Sequence, residues 1–154
     1  MKDIIIIGSG PAGLSAAVYG RRAGLDILVI EKEYCGTGQI AESGQVDNYL
    51  GIPGMEGYSL GEKFREHAEN LGTAFLEEEV TKLEQSDGYW KVLLAGGDVL
   101  ETKTVIYAAG ASHRHLNVPG EDKLSGRGVS YCATCDGAFF RNRTVAVIRE
   151  KPRQ

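Results

Sequence analysis

The stretch Asp3-Ile4-Ile5-Ile6-Ile7-Gly8-Ser9-Gly10-Pro11-Ala12-Gly13 decides the fold. Its run of β-branched residues reads as a strand buried on both faces, as in a parallel sheet. Gly8-x-Gly10-x-x-Gly13 follows at once, and then a helical segment that ends at Gly24. In such a loop the first glycine permits a tight turn. The second lets a pyrophosphate approach the backbone, and the third lets the helix pack closely on the strand. The helix N-terminus offers unpaired N–H groups to the phosphates. Pro11 suits the first helical turn, where its missing N–H would have no partner anyway. Residues 26–32 are a second apolar run and complete a βαβ unit. Glu31 closes that run, 18 residues beyond Gly13. An acidic side chain about 20 residues on is the expected acceptor for a ribose hydroxyl. The bland alternative is a tight turn with an exposed glutamate. A GxGxxG alone is weak evidence; the strand before it, the helix after it and the acid beyond supply the context. The motif does not by itself separate FAD from NAD.

Beyond the βαβ unit, residues 33–58 are rich in glycine and polar side chains and read as a long loop. Ser59 offers a helix N-cap with Glu62 as its capping-box partner. Leu60, Phe64, His67, Ala68 and Leu71 then form an apolar stripe. His67 reads as helix packing or surface. Strands are expected over roughly 74–85, over 89–95 and over 99–103, the last two joined by a Gly96-Gly97-Asp98 hairpin turn. A further buried strand is expected over 104–111. Residues 112–130 carry Pro119-Gly120 and Gly126-Arg127-Gly128 and read as a linker. Thr144-Val-Ala-Val-Ile148 is a last apolar strand.

The 154 residues suffice for one domain with a real core, and 21 glycines indicate many tight turns. The net charge of -4 and the lack of a long basic run disfavour a nucleic-acid or anionic-membrane partner. The Ile4–Ile7 run is too short for a signal-peptide core or a membrane span. The expectation is a soluble, cytoplasmic protein. Three cysteines in such a chain point to catalysis, metal binding or plain burial rather than to a disulfide scaffold.

Two of them lie in Tyr131-Cys132-Ala133-Thr134-Cys135-Asp136-Gly137. A C-x-x-C in a cytosolic α/β protein can be a redox dithiol. A helix starting at Cys132 would favour its thiolate. Asp136 is placed to exchange a proton during thiol exchange. A zinc site needs four N or S ligands. Beyond this pair only Cys35 and three histidines remain, with no second close pair, so no metal is expected. His113 and His115 alternate and could share one strand face. Cys35 is a lone loop cysteine and reads as incidental.

Taken together, these segments resemble the thioredoxin reductase family. Residues 4–32 are similar to its N-terminal FAD-binding segment. Gly38-Gln39-Ile40 and residues 46–54 resemble its flavin-side loop, and residues 105–121 its second FAD-contacting strand and crossover. Residues 126–148 resemble its redox-active segment. Thr37-Gly38-Gln39 stands where the family usually has Gly-Gly-Gln, and Ala108-Ala109-Gly110 where it has Ala-Thr-Gly.

The resemblance implies a Rossmann-like α/β FAD-binding domain over residues 1–116, with a parallel sheet and a small antiparallel hairpin or meander. Residues 117–154 would be a linker and the start of an NADPH-type domain carrying the C-x-x-C. The implied FAD contacts are Gly8, Ser9, Gly10, Pro11, Ala12, Gly13, Glu31, Lys32, Gly38, Gln39, Asn48, Val80, Ala109 and Gly110. Cys135 would face the isoalloxazine, Cys132 would attack a thioredoxin-like protein disulfide, and Asp136 would donate the proton. A homodimer is implied by the resemblance alone.

In the family, the segment matching 144–148 opens an NADPH-binding domain, and a glycine-rich turn follows. Here Arg149-Glu-Lys-Pro-Arg-Gln154 follows instead. The expectation is a truncated chain whose NADPH site is missing, with strand 144–148 left as an exposed, association-prone edge. The competing readings are a non-catalytic FAD-binding fragment that needs a complementing chain, and a flavoprotein of a related peroxide system.

Overall fold

β1, Lys2–Ile7, lies inside a six-stranded sheet whose order is β3 (Ala74–Glu77), β2 (Ile27–Glu31), β1, β6 (Val99–Tyr107), β5 (Tyr89–Leu94), β4 (Val80–Ser86), as described by a computed structural model. The description covers residues 1–34 and 38–148, without the side chains of Thr134 and Cys135. Cys35, Thr37 and Arg149–Gln154 lie outside it. The chain forms two compact units, Met1–Ala111 and Ser112–Gln154.

In the first unit, β1 pairs in parallel with β2 (Ile27–Glu31) and with β6 (Val99–Tyr107); β2 pairs in parallel with β3 (Ala74–Glu77). β4 (Val80–Ser86), β5 (Tyr89–Leu94) and β6 form an antiparallel meander. The expected α/β class, a parallel sheet with an antiparallel meander, is the class observed. Alternation along β1 accounts for the apolar run. Ile6 joins Leu14 and Ala17 of α1 (Pro11–Arg22), Ile27 and Val29 of β2, and Ala68 of α2 (Gly57–Asn70). Ile5 and Ile7 point the other way, into a cluster with Ile30, Val92 and Leu94. A strand sandwiched in this way has no face left for a polar residue.

Three boundaries differ from expectation. Residues 74–85 are two strands, because the chain turns at Glu78–Glu79 from pairing with β2 to pairing with β5. Residues 99–107 are one strand, not two. Their two halves look different because β6 pairs antiparallel with β5 over its first half and parallel with β1 over its second. Thr102 is the pivot, paired with both Lys2 and Trp90. It is fully buried, with its hydroxyl within hydrogen-bond reach of the carbonyls of Lys2 and Thr104. Finally, α2 starts two residues before Ser59. Glu56 is its N-cap and accepts from the Tyr58 and Ser59 N–H groups; the Ser59 hydroxyl donates to the same carboxylate at 2.7 Å. A carboxylate at the N-cap also complements the helix dipole, so it outcompetes the serine. His67 is exposed.

The second unit contains two short helices, α3 (Glu121–Leu124) and α4 (Ala133–Asp136). The strand expected over 144–148 does not form. Among the described residues no strand pairs with it, and Val147 is 88% exposed. An unpaired strand has no ladder to hold it.

Candidate functional site

The glycine loop is built by steric exclusion. Gly8 has φ +105° and donates its N–H to Ile30 at 2.8 Å. A Cβ on Gly8 would lie 2.3 Å from the Ala108 carbonyl oxygen, and one on Gly13 would lie 1.9 Å from the Gly8 carbonyl oxygen. Both positions therefore require glycine, and the backbones of β1, β6 and α1 meet at van der Waals contact. Gly10 caps α1, and Pro11 follows in its first turn. The opening N–H groups of the helix are left unused by the helix itself.

A cleft of about 650 Å³ opens beside this turn. Of the expected cofactor residues, Gly8, Ser9, Glu31, Lys32, Val80 and Ala109 line it. Gly10, Pro11, Ala12 and Gly13 form the turn and helix start next to it. Gly110 follows Ala109 at φ +70°. Gln39, in the 3-10 turn Gly38–Glu42, donates its side-chain amide to the Ala111 carbonyl at 2.7 Å. That bond ties the loop to the end of β6. Asn48 is exposed, between the bridged residues Val46 and Met55, and does not line the cleft.

Glu31 is not the exposed acid of the bland alternative. It is 3% exposed, and Arg65 Nη1 donates to both its oxygens at 2.6 and 2.9 Å. Arg65 Nε donates to Glu69 at 2.7 Å. The guanidinium carbon lies 4.7 Å from the Tyr34 ring centroid and 4.1 Å from that of Phe75. Desolvation is the largest influence on Arg65 and favours loss of its proton. The hydrogen bonds and charges of Glu31 and Glu69 together outweigh it and raise the pKa. Arg65 is a residue that sequence reading missed. The available signal was a charged side chain at a buried helical position, flanked by Gly61 and Ala68 at i-4 and i+3. Lys32 is paired with Glu79 at 3.1 Å across the strand ends.

A pyrophosphate-bearing dinucleotide fits these residues. Gly8 and Gly13 let the backbone close up so tightly that the start of α1 follows directly from the cleft-lining residues, and the acid at the end of β2 is ionically paired and lines the cleft.

The second unit holds the cysteine motif. Cys132 is disulfide-bonded and immediately precedes α4; its carbonyl accepts the Asp136 N–H at 3.0 Å. The helix expected to start at Cys132 thus begins one residue later, at Ala133. The Ser130 hydroxyl accepts the Cys132 N–H at 3.2 Å and donates to the Asp136 carboxylate at 2.6 Å. The side chain of Cys135 lies outside the described residues.

Upstream, Glu121 gathers the linker. It accepts from the Tyr131 hydroxyl at 2.5 Å, the Leu116 N–H at 2.8 Å and the Val118 N–H at 3.3 Å. The Tyr131 bond, then the backbone donors, hold Glu121 down to about 2, and the same carboxylate pushes Tyr131 up to about 12. His113 and His115 share no strand. Their rings pack on Tyr131, one stacked at 5.2 Å and the other edge-on at 5.4 Å. Among the described residues, no group of three or more His, Cys, Asp or Glu is arranged to hold a metal.

The family model for pyridine nucleotide-disulphide oxidoreductases matches residues 2–148. The chain belongs to that family. It is 44% identical over 146 residues to the thioredoxin reductase of Bacillus subtilis, covering 95% of this chain and 46% of that one. It is 43% identical to the thioredoxin reductase of Ureaplasma parvum, covering 95% and 47%. The crystal structure of thioredoxin reductase from Streptococcus pyogenes superposes with a TM-score of 0.82 at 43% identity, covering 91% of this chain and 45% of that one. The resemblance read from the motifs therefore runs nearly the whole length of this chain. The chain spans about half the length of the curated relatives it matches. No helix among the described residues is long and apolar enough to cross a membrane.

Proposed function

We propose that this chain is the flavin-binding, redox-active part of a thioredoxin-reductase-like enzyme. It would hold FAD in the cleft beside Gly8 and pass electrons through a Cys132–Cys135 disulfide to a thioredoxin-like protein disulfide. The observation that carries the reading is the pair of glycines whose Cβ atoms would collide with backbone, set beside an acid at the end of β2. When bound, FAD would take up an electron pair from an external two-electron donor and supply it from its reduced isoalloxazine ring. Opening of α1 at Gly10 presents N–H donors to the pyrophosphate, and Glu31 accepts from the adenosine ribose. Gly38, Gln39, Asn48 and Gly110 complete the cofactor set on the strength of the resemblance.

The proposed partner of Cys132 is Cys135. One helical turn places such residues about 5–6 Å apart at Cα, inside the range for a disulfide. Reducing this bond takes up two electrons and two protons and yields two thiols. The Cys132 thiolate then attacks one sulfur of the partner disulfide and releases the other as a thiol. The Cys135 thiolate attacks Cys132 in the mixed disulfide, releases the reduced partner and restores the starting bond. Asp136 is the proposed proton donor to the leaving thiolate. Its carboxylate is held by the Ser130 hydroxyl, which also holds the Cys132 N–H. A homodimer and a cytoplasmic location belong to the same proposal.

The test is a visible spectrum of the purified chain with added FAD, then anaerobic reductant. Bound flavin bleached by dithionite, with two new thiols per chain appearing, supports the reading. Bound flavin with no new thiols favours the non-catalytic fragment. Bleaching by NADPH as well would reveal a nicotinamide site within this sequence. No flavin binding sinks the proposal.

A further inference from the structure

Glu31 is the acid expected to meet the ribose, yet both of its oxygens already accept from Arg65. A carboxylate offers about four acceptor sites. Arg65 Nη1 takes one on each oxygen, so each keeps another for the cleft that Glu31 lines. The guanidinium cannot swing freely, because its Nε is tied to Glu69 on the same helix and its carbon lies against the Tyr34 and Phe75 rings. A guanidinium fixed at Glu69 and between the two rings fixes where its Nη1 meets both oxygens of Glu31. A carboxylate buried without a partner would be costly and would have nothing to hold its direction.

We propose that Arg65 is a positioning residue for dinucleotide recognition: it holds Glu31 aimed so that the carboxylate selects the adenosine ribose hydroxyls. The proposal rests on the flavin-binding reading above. It assigns to α2, a helix outside the glycine motif, control over the ribose end of the site. Lysine cannot replace it, because an ammonium supplies charge without the planar fork.

The test compares affinities of the full chain for FAD and for its 2′-deoxyadenosine analogue by flavin fluorescence titration. Wild type should prefer FAD by roughly tenfold or more, the scale of one hydrogen bond to a charged group. In Arg65→Met the preference should collapse to less than about threefold. A merely structural role for Arg65 would weaken both ligands alike and leave the ratio intact, which would overturn the proposal. Arg65→Lys provides the same decision should the methionine variant not fold: a reduced ratio supports the proposal and an unchanged one overturns it. Wild type that binds FAD without discriminating the analogue also overturns it. Wild type that binds no flavin removes the parent reading, and this one falls with it.

Discussion

Alanine at Gly13 places a methyl carbon 1.9 Å from the Gly8 carbonyl oxygen and 3.3 Å from Ile6 Cγ2. An ordinary C···O contact is about 3.3 Å, so the two backbones must part by more than about 1 Å. Gly8 cannot yield, since its N–H is bound to Ile30 and its own face rests on Ala108. Overpacking of this kind costs about 1–3 kcal/mol, here at the upper end, against a gain of about 1 kcal/mol from alanine's helix propensity. The expected net loss is about 2 kcal/mol, or roughly 4–8 °C in Tm for a chain of this size. Gly20 on the same helix is the control. A Cβ there would lie 2.2 Å from Ile27 Cδ1, the terminal carbon of a buried side chain that can turn where backbone cannot. Turning that end off its rotamer costs about 0.5–1.5 kcal/mol, which the same propensity gain offsets. Gly20→Ala should therefore be close to neutral. Urea denaturation of both variants reads the difference. Gly13→Ala at or above wild-type stability, or Gly20→Ala the more damaging of the two, would refute the steric account of the loop.

Arg65→Met should cost about 3–5 kcal/mol in the same assay, because it strands Glu31 in the interior, and Glu31→Met with Arg65→Met should recover most of that loss; equal losses for single and double variants would show that the pair is not coupled. The Glu121–Tyr131 clasp should lapse at both ends of the pH scale. Glu121 is lowered from 4.5 to about 2, so its contribution is present above 4.5 and fades as pH falls through about 2. Tyr131 is raised from 10.0 to about 12, so its contribution is present below 10 and fades as pH rises through about 12. Tyrosinate absorbance should show one of the seven tyrosines ionising late, and Tyr131→Phe should remove that step. Of the three cysteines, one thiol should react with Ellman's reagent before reduction and all three after it, and Cys35→Ser should leave none before reduction. A thiol count of three before reduction would contradict the disulfide at Cys132.

Segments whose partners are near in sequence were legible. The βαβ unit rests on neighbouring pairings such as Ile4 with Ile27, and the Gly96–Asp98 turn on a contact within a few residues. Boundaries failed where one strand serves two neighbours. Val99–Tyr107 reads as two patterns because its first half lies in a meander and its second in a parallel sheet, and only tertiary pairing shows that they are continuous. Residues 144–148 failed for the opposite reason. Their apolar, β-branched composition is that of a strand, but composition alone supplies no neighbour, and Val147 stands exposed.

The same distinction separates the cysteine motif from the cleft. The Ser130, Cys132 and Asp136 hydrogen bonds span at most six residues and follow from one turn of helix, so a short motif carries them. The cleft is lined by Gly8, Glu31 and Val80, and Arg65 comes to Glu31 across 34 residues. The Tyr34 and Phe75 rings both lie against its guanidinium, which no local spacing encodes. A charge on the buried face of a helix is costly unless paired. Its presence at position 65, between Gly61 and Ala68, therefore demanded a buried acid elsewhere in the chain. Glu31, at the end of an otherwise apolar strand and already singled out as functional, is that acid, so the two buried charges account for each other.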